Sequence, residues 1–116
     1  MPYRVERSLE TDKDLAAIFD FLLQSYIGFG EERGEALERA ALRIEGIEAE
    51  MLALGDTPHQ GTRRRELLPG LRSVTKQRAI FYFDVDDDLR LVRVLATFFG
   101  GQDHQRAMLR RLFDSE

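Results

Sequence analysis

The sequence contains no cysteine and no tryptophan, and it has only three prolines in 116 residues. Because there is no thiol, disulfide frameworks, thiolate metal sites and cysteine nucleophiles are excluded. No apolar run approaches the ~18 residues that a membrane-spanning helix needs, and the first residues lack the apolar run of a secretion signal. We therefore expect a protein of the cytoplasm that does not enter a membrane.

Ligands for a metal or a cofactor are also scarce. The two histidines, His59 and His104, have no zinc-motif spacing around them. The acidic segment 84–88 begins like a calcium loop, but Leu89 and Leu95 occupy the positions that need glycine and glutamate. No glycine-rich phosphate motif follows a strand, and no serine lies in a nucleophile elbow. The sequence predicts neither a metal nor a cofactor.

The chain has enough apolar residues for one core, and its charge is unevenly distributed. Hydrophobic residues make up 43% of the sequence, and the length suits a single domain over residues 1–116. Residues 1–56 hold 6 basic and 13 acidic residues, whereas residues 57–116 hold 11 and 8. The basic excess around residues 57–78 either meets an anionic partner or is a set of scattered surface arginines.

The first half of the chain reads as a strand followed by two helices. Alternating apolar residues predict a strand over 3–7, and Thr11 followed by Asp14 approximates a capping box that starts a helix. The apolar stripe of that helix is Leu15, Ile18, Phe19, Leu22 and Tyr26. A glycine-rich break at 27–34 precedes a second amphipathic helix, which ends near Gly55. This pattern indicates an antiparallel helical hairpin.

The second half reads as strands and a short terminal helix. A Pro-Gly turn within 67–75 leads into a short strand, and strands are predicted over 78–85 and 91–99 around an acidic turn. Gly100 interrupts the last strand, and an amphipathic basic helix capped near Asp103 follows. The order β, α, α, β, β, β, α predicts a two-layer α+β domain with the hairpin covering one face of an antiparallel sheet.

The charged side chains on and between these strands are compatible with a metal-free ribonuclease. Such an enzyme needs a base, an acid and cations on the phosphate. The candidate cations are Arg72, Lys76, Arg78, Arg90 and Arg93. Alternate positions share a face, so several of these side chains could converge on the uncovered side of the sheet, with Tyr82 as the acid. Alternatively, Arg78 and Arg93 belong to the polar face of a half-solvated sheet.

Four segments in order carry a resemblance to a known family. They are an opening strand with an aromatic-rich helix (3–22), a basic loop leading to a Pro-Gly turn (58–72), an arginine-initiated hairpin (78–95) and the closing motif FFGGQD (98–103). Together they cover nearly the whole chain. They resemble the RelE/ParE toxin superfamily of bacterial type II toxin–antitoxin pairs, and most closely the ParE branch, whose members are often called plasmid stabilisation proteins.

The resemblance implies a fold, a partner and a target. The fold is an N-terminal strand, an antiparallel helical hairpin, a three-stranded antiparallel meander joined by the first strand, and a short C-terminal helix. The partner is a ParD-like antitoxin whose disordered tail folds over the toxin. ParE toxins poison DNA gyrase, whereas RelE toxins cleave messenger RNA on the ribosome.

Departures from the nuclease branch favour a toxin that binds and does not catalyse. Arg78 matches an arginine of the nucleases, but Phe99 stands where many members have histidine. Gly101 and Gln102 stand where the nucleases have cations, and the last segment has no tyrosine. The net charge of -4 also argues against direct nucleic-acid binding by the isolated protein, since phosphate neutralisation drives such binding.

These considerations give two candidate surfaces and two alternative functions. The predicted target-binding residues are Arg72, Arg78, Arg93, Phe99, Gln102 and Asp103. The predicted antitoxin-binding residues, on the open side of the helical hairpin, are Leu22, Tyr26, Phe29 and Leu37. The first alternative is a ribosome-dependent mRNA endoribonuclease of RelE type that uses Arg78, Arg93, Tyr82 and His104. The second is a degenerate member that binds its antitoxin but is not toxic.

Overall fold

A computed structural model describes residues 2–100 and 103–114. The elements are β1 (Arg4–Arg7), α1 (Leu9–Gly28), α2 (Arg33–Leu52), β2 (Thr62–Arg63), β3 (Arg72–Lys76), β4 (Ala79–Asp86), β5 (Leu91–Phe99) and α3 (His104–Asp114), with a 3-10 turn over Ala53–Gly55. The predicted order is confirmed, apart from β2, which adds a strand. The sequence pattern missed β2 because it is only two residues long and both are exposed. Among the described residues, no helix is long and apolar enough to cross a membrane.

The five strands form one mixed sheet in the order β1-β5-β4-β3-β2. Strands β2 to β5 pair antiparallel with their neighbours, while β1 lies parallel to β5 at the sheet edge. The predicted α+β fold, with a meander joined by the first strand, is confirmed. Strand β4 begins at Ala79, so Arg78 lies in the preceding turn and not in the strand as predicted.

Helix α1 begins three residues earlier than the capping pattern predicts. Ser8 is the N-cap, and its hydroxyl accepts a hydrogen bond from the backbone N–H of Thr11 at 3.1 Å. The prediction of a helix start at Thr11 is therefore wrong. Thr11 is completely buried, and its hydroxyl donates to the carbonyl of Val94 at 3.4 Å. The carboxylate of Asp14 accepts hydrogen bonds from Arg111 of α3.

The sheet has apolar side chains on both faces, and each face packs against helix. The larger core lies under the helical hairpin and includes Leu15, Ile18, Leu22, Ala40, Ile47, Met51, Phe81, Phe83, Val92 and Val94. The second core includes Leu71, Ile80, Tyr82, Ala96, Phe98 and Met108. Met108 belongs to α3, so this helix covers part of the face that the sequence predicted to be uncovered.

A bulge in β5 sets which of its side chains meets which core. Tyr82 pairs with Ala96 and Phe83 with Val94, which leaves Leu95 as the extra residue. One extra residue reverses the inward–outward alternation of the strand beyond it. As a result Phe98 packs in the core under α3, whereas Phe99 packs at the edge of the core under the hairpin.

Candidate functional site

A cleft of about 490 Å³ lies between α1, α3 and the ends of the central strands. Its walls include Asp14 and Phe21 from α1, Arg78 from the β3–β4 turn, Phe99 from β5 and Arg111 from α3. The volume falls in the range typical of ligand-binding clefts. The cleft therefore has an apolar floor with cations at its rim and at its back.

The turn before β4 places Arg78 at the rim of the cleft. Lys76 pairs with Ala79, so Gln77 and Arg78 form a two-residue hairpin loop. Both have positive φ, 50° and 68°, as a type I′ turn requires, although neither is glycine. The left-handed region costs a residue with a Cβ about 1–2 kcal/mol. The guanidinium of Arg43 supports the turn by donating to the carbonyl of Gln77 at 2.7 Å.

The ring of Phe99 lies at the centre of a group of cations and aromatics. The guanidinium carbon of Arg78 lies 5.6 Å from the ring centroid, and that of Arg43 lies 5.4 Å from it. Phe21, which is 60% exposed, lies with its ring centroid 6.4 Å away. Cations within about 6 Å of an aromatic ring are attracted by its quadrupole. The ring thus attracts the guanidinium groups of Arg43 and Arg78 at the mouth of the cleft, and because it is uncharged it leaves their positive charge in place.

The back of the cleft is held by an ion pair that joins three elements. Arg111 donates two hydrogen bonds to the carboxylate of Asp14, at 2.7 and 2.9 Å. The same carboxylate accepts from the backbone N–H of Thr97 at 2.9 Å. The hydrogen bonding between Arg111 and Asp14 raises the pKa of Arg111 further above its ordinary value. The hydroxyl of Thr97 is buried and has no hydrogen-bond partner among the described residues.

The structure does not bring the three predicted target-binding arginines together. Arg72 lies opposite Phe83 and Arg93 lies opposite Asp84, so their side chains leave opposite faces of the sheet. Arg93 is paired with Asp84, with its Nε 2.9 Å from the carboxylate. Only Arg78 lies at the cleft. The predicted convergence of these cations on one face is therefore wrong, because it ignored the strand register.

The closing motif is only partly in view. Asp103 caps α3, since its carboxylate accepts from the backbone N–H of Arg106 at 3.1 Å, which confirms the predicted cap. Gly100 has a φ of +78°, a conformation that favours glycine, and donates its N–H to the carbonyl of Arg78 at 3.0 Å. Gln102 lies outside the described residues.

Tyr82 and His104 of the ribonuclease alternative meet where α3 begins. The hydroxyl of Tyr82 and Nδ1 of His104 are 2.7 Å apart. Burial raises the pKa of Tyr82, while burial and the positive charge of Arg64 lower the pKa of His104. At neutral pH the hydroxyl therefore keeps its proton and forms its hydrogen bond with a neutral imidazole. Tyr82 is completely buried, on the face of the sheet opposite the Arg78–Phe99 contact.

The predicted antitoxin-binding residues divide into buried and exposed members. Leu22 is only 5% exposed and packs in the core under the hairpin, so its predicted place on an open surface is wrong. Phe29 is 88% exposed at the tip of the hairpin, and Leu37 is 37% exposed on α2. The guanidinium of Arg39 lies 4.2 Å above the half-buried ring of Tyr26. Their role in antitoxin binding stays a prediction.

The predicted site residues do not include Phe21 or the Asp14–Arg111 pair, which contribute to the cleft. Phe21 lies off the apolar stripe of α1, and an aromatic residue outside the buried face is the signal that could have identified it. The sequence pattern predicts Asp14 as part of a cap, and its partner Arg111 is 97 positions away in the sequence, so no local pattern reveals the pair. No group of histidine, aspartate and glutamate in the described part of the chain has the arrangement of a metal site.

Comparison with solved structures identifies the fold as that of the RelE/ParE toxins. The first similar structure is the chromosomal ParDE TA system from P. aeruginosa, with a TM-score of 0.64 and 20% identity over 85% of this chain and 97% of that chain. A second is the toxin–antitoxin complex RelBE2 from Mycobacterium tuberculosis, with a TM-score of 0.55 and 18% identity over 88% and 95%. A third is a mutant of E. coli toxin RelE in the free state, with a TM-score of 0.59 and 10% identity over 96% of this chain and 97% of that chain. No protein-family model and no curated protein matches the chain.

Proposed function

We propose that this protein is the toxin of a type II toxin–antitoxin pair, that it acts by binding DNA gyrase, and that a ParD-like antitoxin neutralises it. The observation that carries the proposal is the contact between Arg78 and Phe99. An apolar ring lies beside the exposed cation where proton-transfer chemistry would need a titratable side chain. The fold shared with the ParDE structure supports the same conclusion.

The chemistry of the cleft supports recognition of a protein surface. Phe21 and Phe99 supply a partly exposed aromatic wall, and Arg78 supplies a cation with no ion-pair partner among the described residues. Aromatic residues and arginine are the side chains that most often dominate binding energy at protein interfaces. We assign target binding to this cleft, with Arg78 and Phe99 at its centre.

The antitoxin is assigned to the tip and outer side of the helical hairpin. Phe29 and Leu37 expose apolar surface there. An amphipathic helix from a disordered tail buries such residues by laying its apolar face against them. This surface is separate in sequence from Arg78 and Phe99, so the two assignments can be tested independently.

Growth experiments in bacteria without an antitoxin test the proposal. Expression of the chain is expected to cause filamentation and a DNA-damage response, and the double variant Arg78→Ala/Phe99→Ala is expected to relieve both. Arg110→Ala is a matched control, because Arg110 is exposed and lies outside the cleft. Growth arrest that is equal in all three proteins would remove the cleft from the target site.

A RelE-type mRNA endoribonuclease is the second candidate, favoured by the structural likeness to E. coli RelE. It predicts rapid loss of messenger RNA while DNA replication continues. It also predicts that Tyr82→Phe and His104→Gln abolish growth arrest. Under our proposal both variants keep their toxicity, because Tyr82 and His104 hold α3 on the sheet and do not contact the target.

A further inference from the structure

A second cleft, of about 220 Å³, lies at the opposite end of β3 from the Arg78 turn. Arg63, Arg65 and Arg72 line it together with His59 and Asp87. The cleft is distinct from the proposed target site, with which it shares no lining residue. Its composition, three arginines with one carboxylate, is that of an anion site.

The strand register places two of these arginines directly against each other. Arg63 of β2 is the cross-strand partner of Arg72 of β3, so both side chains leave the same face of the sheet. Like charges at directly opposite positions are destabilising. Within residues 2–100 and 103–114, neither Arg63 nor Arg65 has a hydrogen bond or an ion pair from its side chain. The fold thus keeps a positive charge in the cleft that its own carboxylates do not neutralise.

The remaining polar groups of the cleft are already engaged and fix its shape. The carboxylate of Asp87 accepts from the hydroxyl of Tyr3 at 2.8 Å and lies 2.7 Å from Nε2 of His59. The hydrogen bond from Tyr3, followed by that from His59, lowers the pKa of Asp87. Arg72 donates to the carbonyl of His59 at 2.8 Å. These contacts hold the loop that contains His59 against the edge of the sheet and leave Arg63 and Arg65 free to bind.

The chemistry of the cleft favours phosphate over a peptide carboxylate. Several guanidinium groups that approach from two strands and a loop suit the several oxygens of a phosphate, whereas one arginine already satisfies a planar carboxylate. The only apolar side chain in the wall is that of Val85, so a peptide would find no pocket for an anchoring side chain. We propose that this cleft binds a phosphate group, either free or in a nucleic-acid backbone, through Arg63, Arg65 and Arg72.

The acidic character of the whole chain does not oppose this local site. The excess of acidic residues belongs to residues 1–56, whereas the cleft arginines lie in the half with a net positive charge. Charges further away than about 8–10 Å are largely screened at physiological salt. With three phosphate contacts, the logarithm of the binding constant is expected to fall with the logarithm of the salt concentration with a slope (the salt slope) of only about −2 to −3. Binding is therefore expected to be weak and easiest to detect at low salt.

Binding to the purified full chain tests the proposal, and its readout does not depend on toxicity. The probes are inorganic phosphate, followed by NMR shifts of the backbone amides of residues 61–65, and a labelled single-stranded DNA of roughly 12 nucleotides, followed by fluorescence anisotropy. The variant Arg63→Gln/Arg65→Gln changes two exposed side chains and keeps Arg72 in place. The control Arg33→Gln/Arg110→Gln removes the same charge from exposed sites elsewhere.

We expect the cleft variant to weaken oligonucleotide binding about tenfold or more at ~50 mM salt and to reduce the salt slope by about 1 to 2. The control is expected to change binding less than about threefold, and both variants are expected to keep the circular dichroism spectrum of the parent. If inorganic phosphate also shifts the NMR signals of residues 61–65, the ligand is a single phosphate group. If only the DNA binds, the ligand is the nucleic-acid backbone. Equal weakening by both variants, or binding of polyglutamate but not of phosphate or DNA, would overturn the proposal.

Discussion

Arg111 of α3 holds the carboxylate of Asp14 of α1 with two hydrogen bonds, at 2.7 and 2.9 Å. The Asp14 side chain is 11% exposed and that of Arg111 is 28% exposed. The same guanidinium lies 5.0 Å from the ring centroid of Phe98. A pair that is mostly shielded from water in this way fixes the terminal helix to the rest of the domain, and it closes the back of the proposed target cleft.

Arg111→Met is expected to lower the free energy of unfolding by about 2–3 kcal/mol, since it leaves the Asp14 carboxylate without its cation in a largely buried place. Arg110→Met, at an exposed neighbour, is the control and is expected to change stability by less than about 0.5 kcal/mol. Urea unfolding measures both, and hydrogen exchange should show faster opening of α3 only in Arg111→Met. Equal stability of the two variants would show that the pair does not hold the helix.

Arg78→Gly is expected to stabilise the protein by about 0.5–1 kcal/mol, because glycine adopts the left-handed conformation without the strain of a Cβ. The same variant is expected to lose toxicity, because the guanidinium over Phe99 is removed. Gln77→Gly relieves the neighbouring positive φ and keeps that guanidinium, so it should stabilise the hairpin and stay toxic. Thermal unfolding and growth assays on the two variants separate strain from function. A toxic Arg78→Gly would contradict the assigned role of Arg78.

Thr97→Val is expected to raise the free energy of unfolding by about 1 kcal/mol, since it replaces a buried hydroxyl without a partner by a methyl group of similar size. Thr11→Val is the matched comparison. Thr11 is equally buried, but its hydroxyl donates to the carbonyl of Val94. The loss of that bond is expected to destabilise by about 0.5–1.5 kcal/mol. Opposite signs for the two substitutions are the predicted result of urea unfolding, and two losses of similar size would contradict it.

The lowered pKa of His104 predicts a loss of stability in mildly acidic solution. Between the ordinary value of 6.5 and the lower pKa of the folded state, the unfolded chain takes up a proton that the folded protein does not. The contribution of His104 to the free energy of unfolding is therefore fully present above pH 6.5. It decreases as the pH drops from 6.5 to the pKa of the folded state, and it is constant at lower pH. The stability difference between the parent and His104→Gln should shrink from pH 7.5 to the acidic side of about pH 6. A difference that is independent of pH would contradict this account.

The sequence predicted the helices well because their apolar stripes are local. Leu15, Ile18 and Leu22 follow the helical period, and all three are buried. The sites depend on distant pairings that no local pattern contains. The register that separates Arg72 from Arg93 results from pairing and from the bulge in β5.

His59 also shows that pairings between distant residues are absent from local sequence patterns. His59 reads as a loop residue in the sequence, and it meets Asp87 only because the loop before β2 folds back against the β4–β5 turn. The two residues are 28 positions apart. Position 99 is the exception. The resemblance draws attention to Phe99, where many RelE/ParE members have histidine, and the structure places that ring in the wall of the cleft, next to Arg78.

DNA supercoiling with purified gyrase measures whether the protein acts by binding gyrase through the Arg78–Phe99 cleft. The protein is expected to inhibit supercoiling and to cause cleaved DNA to accumulate. Arg78→Ala/Phe99→Ala is expected to have neither effect, while Arg110→Ala is expected to act like the parent. Undiminished supercoiling in the presence of a folded, toxic protein would contradict gyrase binding.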